Sequence, residues 1–346
     1  MKTYKTLEIK QNYDLSIESG IRVGGQAAFF YELTTESELP ILTSFAKENN
    51  LTIVSIGDGS NSIYGAGKLN ILAIKNKLTG IEVVSQTDDS VIIRAAAGET
   101  WDDLVNYTVD NGYCGIEALT AIPGTVGAAP VQNVGAYGQE VSNVITQVST
   151  YDTGRSQSKN FSNDDCEFSY RNSFFKANPN RYIITHVTLN LKKETHPGIP
   201  DYKSAQEYFT DQGITNPSLA EIRDGITAIR WSKLPRPEVL PNCGSWFKNP
   251  ILSKVKGEEL KEKYPDITYW EVGDQVKLSA GWLVENTVGK NFDNDYFATY
   301  GKNALVLVNH SLTSSTAKFL KFEQTIIKAV EDKFGVTLER EPILVG

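Results

Sequence analysis

Residues 118–140, ALTAIPGTVGAAPVQNVGAYGQE, constrain this chain more than any other stretch. They are dense in glycine, alanine and proline, and Glu140 is their only charged residue. A disordered linker would be more polar. Backbone of this composition suits close packing against something large and flat. A shorter glycine-rich stretch, GDGSN at 57–61, follows the apolar run LTIVSI. Backbone amides in such a turn form a concavity that attracts phosphate. Taken alone, GDGSN reads as a plain glycine turn. Two separated glycine-rich segments, each after an apolar run, could instead clasp one pyrophosphate and its flanking rings. The chain has no GxGxxG and no GxxxxGK[ST], so a dinucleotide would be held by another route.

A chain of 346 residues suits two or three domains rather than one core. Hydrophobic residues make up 40% and charged residues 22%, the balance of a soluble globular protein. The net charge of -8 argues against a general nucleic-acid binder, but a local basic cluster can still hold a small anion. Cys114, Cys166 and Cys243 are far apart and form no CxxC pair. This argues against a disulfide framework or a zinc site, and for a reducing cytoplasm. His186, His196 and His310 are scattered without HExxH, so no metal ligand set is visible and they read as structural or surface residues. The polar opening MKTYKTLEIKQNYDLS lacks the apolar core of a signal peptide, and no stretch approaches a membrane span.

Residues 36–49 read as a helix, followed by a strand entering GDGSN; ILAIKN and VIIRAAAG are further strands. Thr100 and Asp103 have capping-box spacing before a helix that should stop at Gly112. Residues 141–192 read mostly as strand, with alternation in the second half of RYIITHVTLNL. Leu219, Ile222, Ile226 and Ile229 have helical spacing, and a boundary is expected near here. A charged helix over 252–264 and a short apolar one over 279–288, closed by Gly289, follow. A long amphipathic helix should bury Phe319, Phe322, Ile326, Val330 and Phe334.

Four sites carry candidate chemistry. Arg171 lies among aromatics in FSYRNSFFK; it is either a snorkelling surface arginine or a partly buried one that needs an anion. Arg230, Lys233 and Arg236 fit a solvated helix end as well as a diphosphate site. Glu339 in TLERE reads by itself as a solvated glutamate. Ser245 in GSWFKNP lacks the GxSxG elbow and any neighbouring base, so a serine hydrolase is a poor fit. A serine that is buried and oriented can instead deliver a proton to a developing carbanion.

GDGSN, IPGTVGAAPVQNVGAYG, YRNSFFK, SKLPRP, GSWFKNP, KLSAGWLVE, NALVLVN and GVTLE occur in that order. This ordered set spans nearly the whole chain and closely resembles the UDP-N-acetylenolpyruvoylglucosamine reductase family. PDY at 200–202 resembles the type I class, which carries a substrate-covering tyrosine loop. The resemblance implies an α+β fold: a two-lobed FAD-binding domain of the vanillyl-alcohol oxidase type and a C-terminal α/β substrate domain. The lobes would be 1–77 and 78–224 with 334–346, and the substrate domain 225–333. FAD contacts would come from Gly57, Asp58, Gly59, Ser60 and Asn61. The second loop would add Pro123, Gly124, Thr125, Gly127, Ala128, Gln132, Asn133, Gly135, Ala136 and Tyr137.

The resemblance also implies a chemistry. NADPH would reduce FAD, and hydride would pass to the methylene carbon of an enolpyruvyl ether, giving a lactyl ether. An enol ether is electron-rich there, so charge must be drawn towards the conjugated carboxylate. Arg171 matches the arginine that does this. Glu339 matches a glutamate held near the same carboxylate; burial would favour the protonated form that could help. Ser245 matches the serine acid, with Trp246 and Phe247 walling off water. Tyr202, Arg230, Lys233, Asn249 and Asn303 match substrate contacts, and Lys248 reads as a further one. One departure is that R-E-P-I follows Glu339 where the family more often has P-E-V-R, so Ile343 replaces a late arginine. No histidine lies in either loop, which implies a non-covalent flavin; Cys114 is the residue that could contradict this. A monomer in the cytoplasm, acting on UDP-N-acetylglucosamine enolpyruvate without nucleic acid, membrane or metal, completes the expectation. A sibling flavoprotein would not need Ser245, Arg171 and Glu339 together, and a sugar-nucleotide sensor would need neither Ser245 nor a flavin clasp.

Overall fold

Alternation and helical spacing place most elements of this chain correctly. The computed structural model describes residues 7–346, so the first six residues of the polar opening lie outside it. The chain divides into two compact units.

The first unit holds Ala27–Asp58, Asn70–Ser232 and the described residues up to Tyr13. Its smaller sheet runs in the order Lys10–Asp14, Gln26–Leu33, Lys68–Asn76, Thr52–Ile56, the last two parallel. The helix Leu39–Glu48 starts behind a Thr35–Glu38 capping box and buries Leu39, Leu42 and Ala46 with Leu33, Ile53 and Leu72. A larger antiparallel sheet runs Gln157–Ser162, Ile145–Asp152, Tyr182–Lys193, Ser90–Ala96, Ile81–Gln86. In Tyr182–Lys193 the residues Val187, Leu189 and Leu191 are buried and Asn190 is exposed, as the alternation requires. Leu219, Ile222, Ile226 and Ile229 of the helix Leu219–Lys233 are buried, the last three in one cluster with Phe209 and Ala118.

The helix Trp101–Asp110 corrects one expectation. Thr100 is its N-cap but makes no side-chain capping bond, so the Thr100–Asp103 box does not form. Thr100 instead bridges Thr125 through the backbone. Gly112 has φ +74° and ends the helix as expected.

The second unit is built from Asp14–Gln26, Gly59–Leu69 and Lys233–Gly346. One sheet orders Asn242–Ser245, Asn303–Asn309, Phe297–Tyr300; a second orders Ile251–Ser253, Gln275–Leu278, Tyr269–Val272. The helix Thr316–Phe334 buries the five expected residues and also Glu323. Ser315 caps it by accepting from the Lys318 N–H, and Gly335 at φ +64° closes it. The last strand, Ile343–Val345, runs parallel to Ser62–Tyr64.

These units cut the chain differently from the three expected domains. Residues 219–233 form one helix, so the chain does not divide at 224. Residues 334–346 belong with 59–69 rather than with the sheet of 78–224. Among the described residues, no helix is long and apolar enough to cross a membrane.

Candidate active site

Both loops have glycines at positions where a side chain would not fit. Gly59 has φ +76°, and a Cβ there would lie 1.7 Å from the Glu18 carbonyl oxygen. A Cβ on Gly57 would lie 2.7 Å from Thr125 Oγ1, which brings the start of GDGSN against the second loop. A Cβ on Gly127 would meet the Ala97 Cβ at 2.6 Å. Asn61 Nδ2 is buried and has no hydrogen-bond partner. An orphaned donor of this kind awaits an acceptor. A packed glycine backbone with an unspent amide fits a flat dinucleotide such as FAD.

The second loop is wound from short turns, including Val126–Ala128. Ala121, Asn133 and Tyr137 hold φ of 53°, 43° and 50°. Positive φ is costly for such residues and clusters at functional sites. Arg171 joins them at φ +53°, in a tight turn closed by a Ser169–Asn172 bridge. Its Nη2 donates to the Gly135 carbonyl at 2.9 Å, and its guanidinium lies 5.5 Å from the Tyr170 ring. Of the two readings of Arg171, partial burial among aromatics is the one found.

Arg230 Nε donates to the Ala121 carbonyl at 3.2 Å. Burial holds its guanidinium below the usual arginine range; the Arg171 charge adds to this, while Tyr137 and Asp102 oppose it. Tyr137 accepts a hydrogen bond from Arg230, yet burial still pushes its phenol up. The Tyr202 ring meets the Tyr137 ring edge-on at 5.2 Å and is 49% exposed. Arg171, Arg230, Tyr137 and Tyr202 thus gather in the first unit. Asp102 was missed in the sequence. It accepts from the Ala121 N–H at 2.6 Å and from Thr120 Oγ1, and so fixes the carbonyl that orients Arg230.

Ser245, Asn249, Asn303 and Glu339 lie in the second unit. Ser245 ends its strand, is exposed, and pairs with Val306 in register. Gly244 before it sits at φ +68°, with its N–H on Asn242 Oδ1 at 2.8 Å. Trp246 and Phe247 do not wall off water around Ser245. Both are buried in the core, and Trp246 Nε1 donates to Glu323 Oε1 at 2.8 Å. They anchor the strand that presents the serine. Asn249 Oδ1 accepts from the Ala280 N–H, and Asn303 Oδ1 from the Leu305 N–H. Lys233 and Arg236 are exposed, whereas Arg230 is half-buried.

The Glu339 side chain is 73% exposed and ion-paired with Lys248, so the expected burial is not found. Two residues on, Glu341 is half-buried, and its N–H donates to the Trp246 carbonyl at 2.9 Å, beside Ser245 in the chain. Glu323 is 2% exposed and accepts both Arg340 and Trp246. Its sequence signal was a lone acid on the apolar stripe of the long helix. Burial, with help from Glu117, pushes the Cys114 thiol up to about 12, which disfavours the thiolate that a covalent flavin link would use.

Known proteins resemble this chain along almost its whole length. The family description "FAD binding domain" matches residues 27–154, and "UDP-N-acetylenolpyruvoylglucosamine reductase, C-terminal domain" matches 236–345. The chain is 38% identical over 330 residues to the UDP-N-acetylenolpyruvoylglucosamine reductase of Alcanivorax borkumensis, covering 94% of each. It is 34% identical over 340 residues to that of Pseudomonas aeruginosa, covering 98% of this chain and 99% of the relative. The crystal structure of the Thermus caldophilus enzyme superposes with a TM-score of 0.67 at 19% identity, over 98% of this chain and 99% of the other. That likeness fixes the fold as the expected α+β one: a two-lobed FAD-binding domain followed by the reductase C-terminal domain. With relatives this similar along almost its whole length, the chain belongs to the UDP-N-acetylenolpyruvoylglucosamine reductase family.

Proposed function

We propose that the protein is an FAD-dependent oxidoreductase that reduces UDP-N-acetylglucosamine enolpyruvate to UDP-N-acetylmuramate, with NADPH as reductant, in peptidoglycan precursor synthesis. The observation that carries this reading is the bond from Arg171 to Gly135. It fastens the charge-stabilising cation to the cofactor loop itself. Residues 57–61 and 123–137 would hold FAD, with Gly57, Gly59 and Gly127 giving close approach and Asn61 an amide donor. Bound FAD supplies the hydride that NADPH provides.

Arg171 draws charge towards the substrate carboxylate as the methylene carbon is reduced. Ser245 gives its proton to the adjacent carbon. Its exposure leaves the exclusion of water to what binds over it. Arg230, Lys233, Tyr202, Asn249 and Asn303 contact the sugar nucleotide. The flavin lobes would give way to the substrate domain at the end of the helix Leu219–Lys233 rather than at 224. The protein works as a cytoplasmic monomer.

An anaerobic absorbance spectrum tests the reading. Flavin bands should bleach with NADPH and return when UDP-N-acetylglucosamine enolpyruvate is added. Bands that stay bleached would mean another acceptor, and no bands even after added FAD would overturn the flavoenzyme reading.

A second reading concerns the carboxylate. Glu339 matches the family motif, but its exposure and its pairing with Lys248 favour Glu341 for the role near the substrate carboxylate. Glu341→Gln should slow enolpyruvyl reduction by roughly 100-fold, as loss of a transition-state contact does. Glu339→Gln should change it by no more than about twofold, the effect of a surface pair. The opposite ranking in single-turnover rates would return the role to Glu339.

A further inference from the structure

We infer that Lys176 is a positioning residue that holds Arg171 in place and ties it to the flavin loop, an inference that rests on the role given to Arg171 above. Lys176 Nζ donates to the Arg171 carbonyl at 3.0 Å and to Gln132 Oε1 at 2.8 Å. An ammonium has three donors and no acceptor, so one group can fix two acceptors at once. The first acceptor belongs to a residue at φ +53°, a conformation that persists only when its surroundings over-determine it. The second lies on a buried side chain of the cofactor loop, next to Asn133 at φ +43°. Arg171 reaches back to that loop through Gly135. The backbone of Arg171 and the tip of its side chain are therefore both referenced to residues 132–135. A shift of the cofactor loop is passed to the arginine, which keeps the cation in register with the cofactor.

The rest of this turn has its own attachments. Ser173 Oγ donates to the Val131 carbonyl at 2.8 Å, and Asn133 Nδ2 to the Ser169 carbonyl at 3.3 Å. Removing the Lys176 ammonium should loosen Arg171 without releasing the turn.

The experiment compares Lys176→Met, Lys176→Arg, Arg171→Ala and the double variant Lys176→Met/Arg171→Ala as FAD-loaded proteins in stopped flow. Lys176→Met should keep flavin content and the rate of reduction by NADPH within about twofold. It should slow reoxidation by UDP-N-acetylglucosamine enolpyruvate by roughly 10- to 100-fold, the scale of a misplaced catalytic group. Lys176→Arg, with donors enough for both acceptors, should recover most of that loss. The double variant should be no slower than Arg171→Ala, because Lys176 acts through Arg171. In flavin-free protein, Lys176→Met should also speed amide hydrogen exchange across 168–176. Wild-type reoxidation in Lys176→Met beside a slow Arg171→Ala would overturn the inference alone. Equal loss of both half-reactions, or loss of flavin, would make Lys176 a fold staple and overturn it too. Wild-type reoxidation in Arg171→Ala would instead sink the role given to Arg171, and the inference with it.

Discussion

Ser245→Ala should leave reduction of the flavin by NADPH at the wild-type rate and slow its reoxidation by substrate by roughly 100- to 10,000-fold, the contribution of a general acid. Ser245 is exposed, and its strand is held by its neighbours, so removing the hydroxyl should not disturb the fold. The Trp246 N–H donates to the Leu305 carbonyl at 2.9 Å, Trp246 and Phe247 are buried, and Gly244 is fixed by Asn242. The variant therefore isolates the proton. Rapid-mixing absorbance gives both half-reactions in one experiment. Wild-type rates in both would remove Ser245 from the chemistry.

Arg340→Met should lower the stability of the second unit by about 3–5 kcal/mol, the usual cost of breaking a buried ion pair. Glu323 is the acid of that pair, 2% exposed, with Arg340 on both carboxylate oxygens and the Trp246 indole on one. Losing Arg340 leaves a buried carboxylate with the indole N–H alone. Urea unfolding followed by tryptophan fluorescence should show an earlier transition. Replacing both partners, Glu323→Gln with Arg340→Met, should regain part of the loss, because the neutral amide oxygen can still accept from the Trp246 indole and no charge stays buried. A single variant within about 0.5 kcal/mol of wild type would match a surface pair and refute the assignment. The site would feel this too. Phe247 bridges Arg340, and the Lys248 and Glu341 N–H groups bond the Glu339 and Trp246 carbonyls, so one buried carboxylate fixes the serine strand against the glutamate edge. The absent late arginine at Ile343 is thus not a missing anchor, since Arg340 anchors this edge to Glu323.

Much of this was legible in the sequence because apolar periodicity reports burial directly. Phe319, Phe322, Ile326, Val330 and Phe334 marked their helix face, and Val187, Leu189 and Leu191 their strand face. Ordered motifs located the loops. What stayed hidden depends on contacts distant in sequence. Trp246 and Phe247 read as a screen around Ser245, and only the tertiary core shows that they point away from it. Thr100 and Asp103 had the spacing of a cap, but pairing with Thr125 took the backbone elsewhere. Ala121, Tyr137 and Arg171 carry no mark of positive φ, because nothing in those residue types calls for it; Asn133 is of a type that adopts it more readily.

The second unit is assembled from three separate stretches, 14–26, 59–69 and 233–346. On the ribosome the first two emerge before the third and must wait while the 163 residues between Leu69 and Lys233 are made. At ordinary elongation rates that delay is on the order of ten seconds, much longer than a hairpin takes to form. During it, the edge of Ser62–Tyr64 lacks its eventual neighbour, Ile343–Val345, which is made later still. Synthesis therefore leaves that strand edge without its partner until residues 343–345 emerge, and nascent chains of this protein should need chaperone protection throughout that interval.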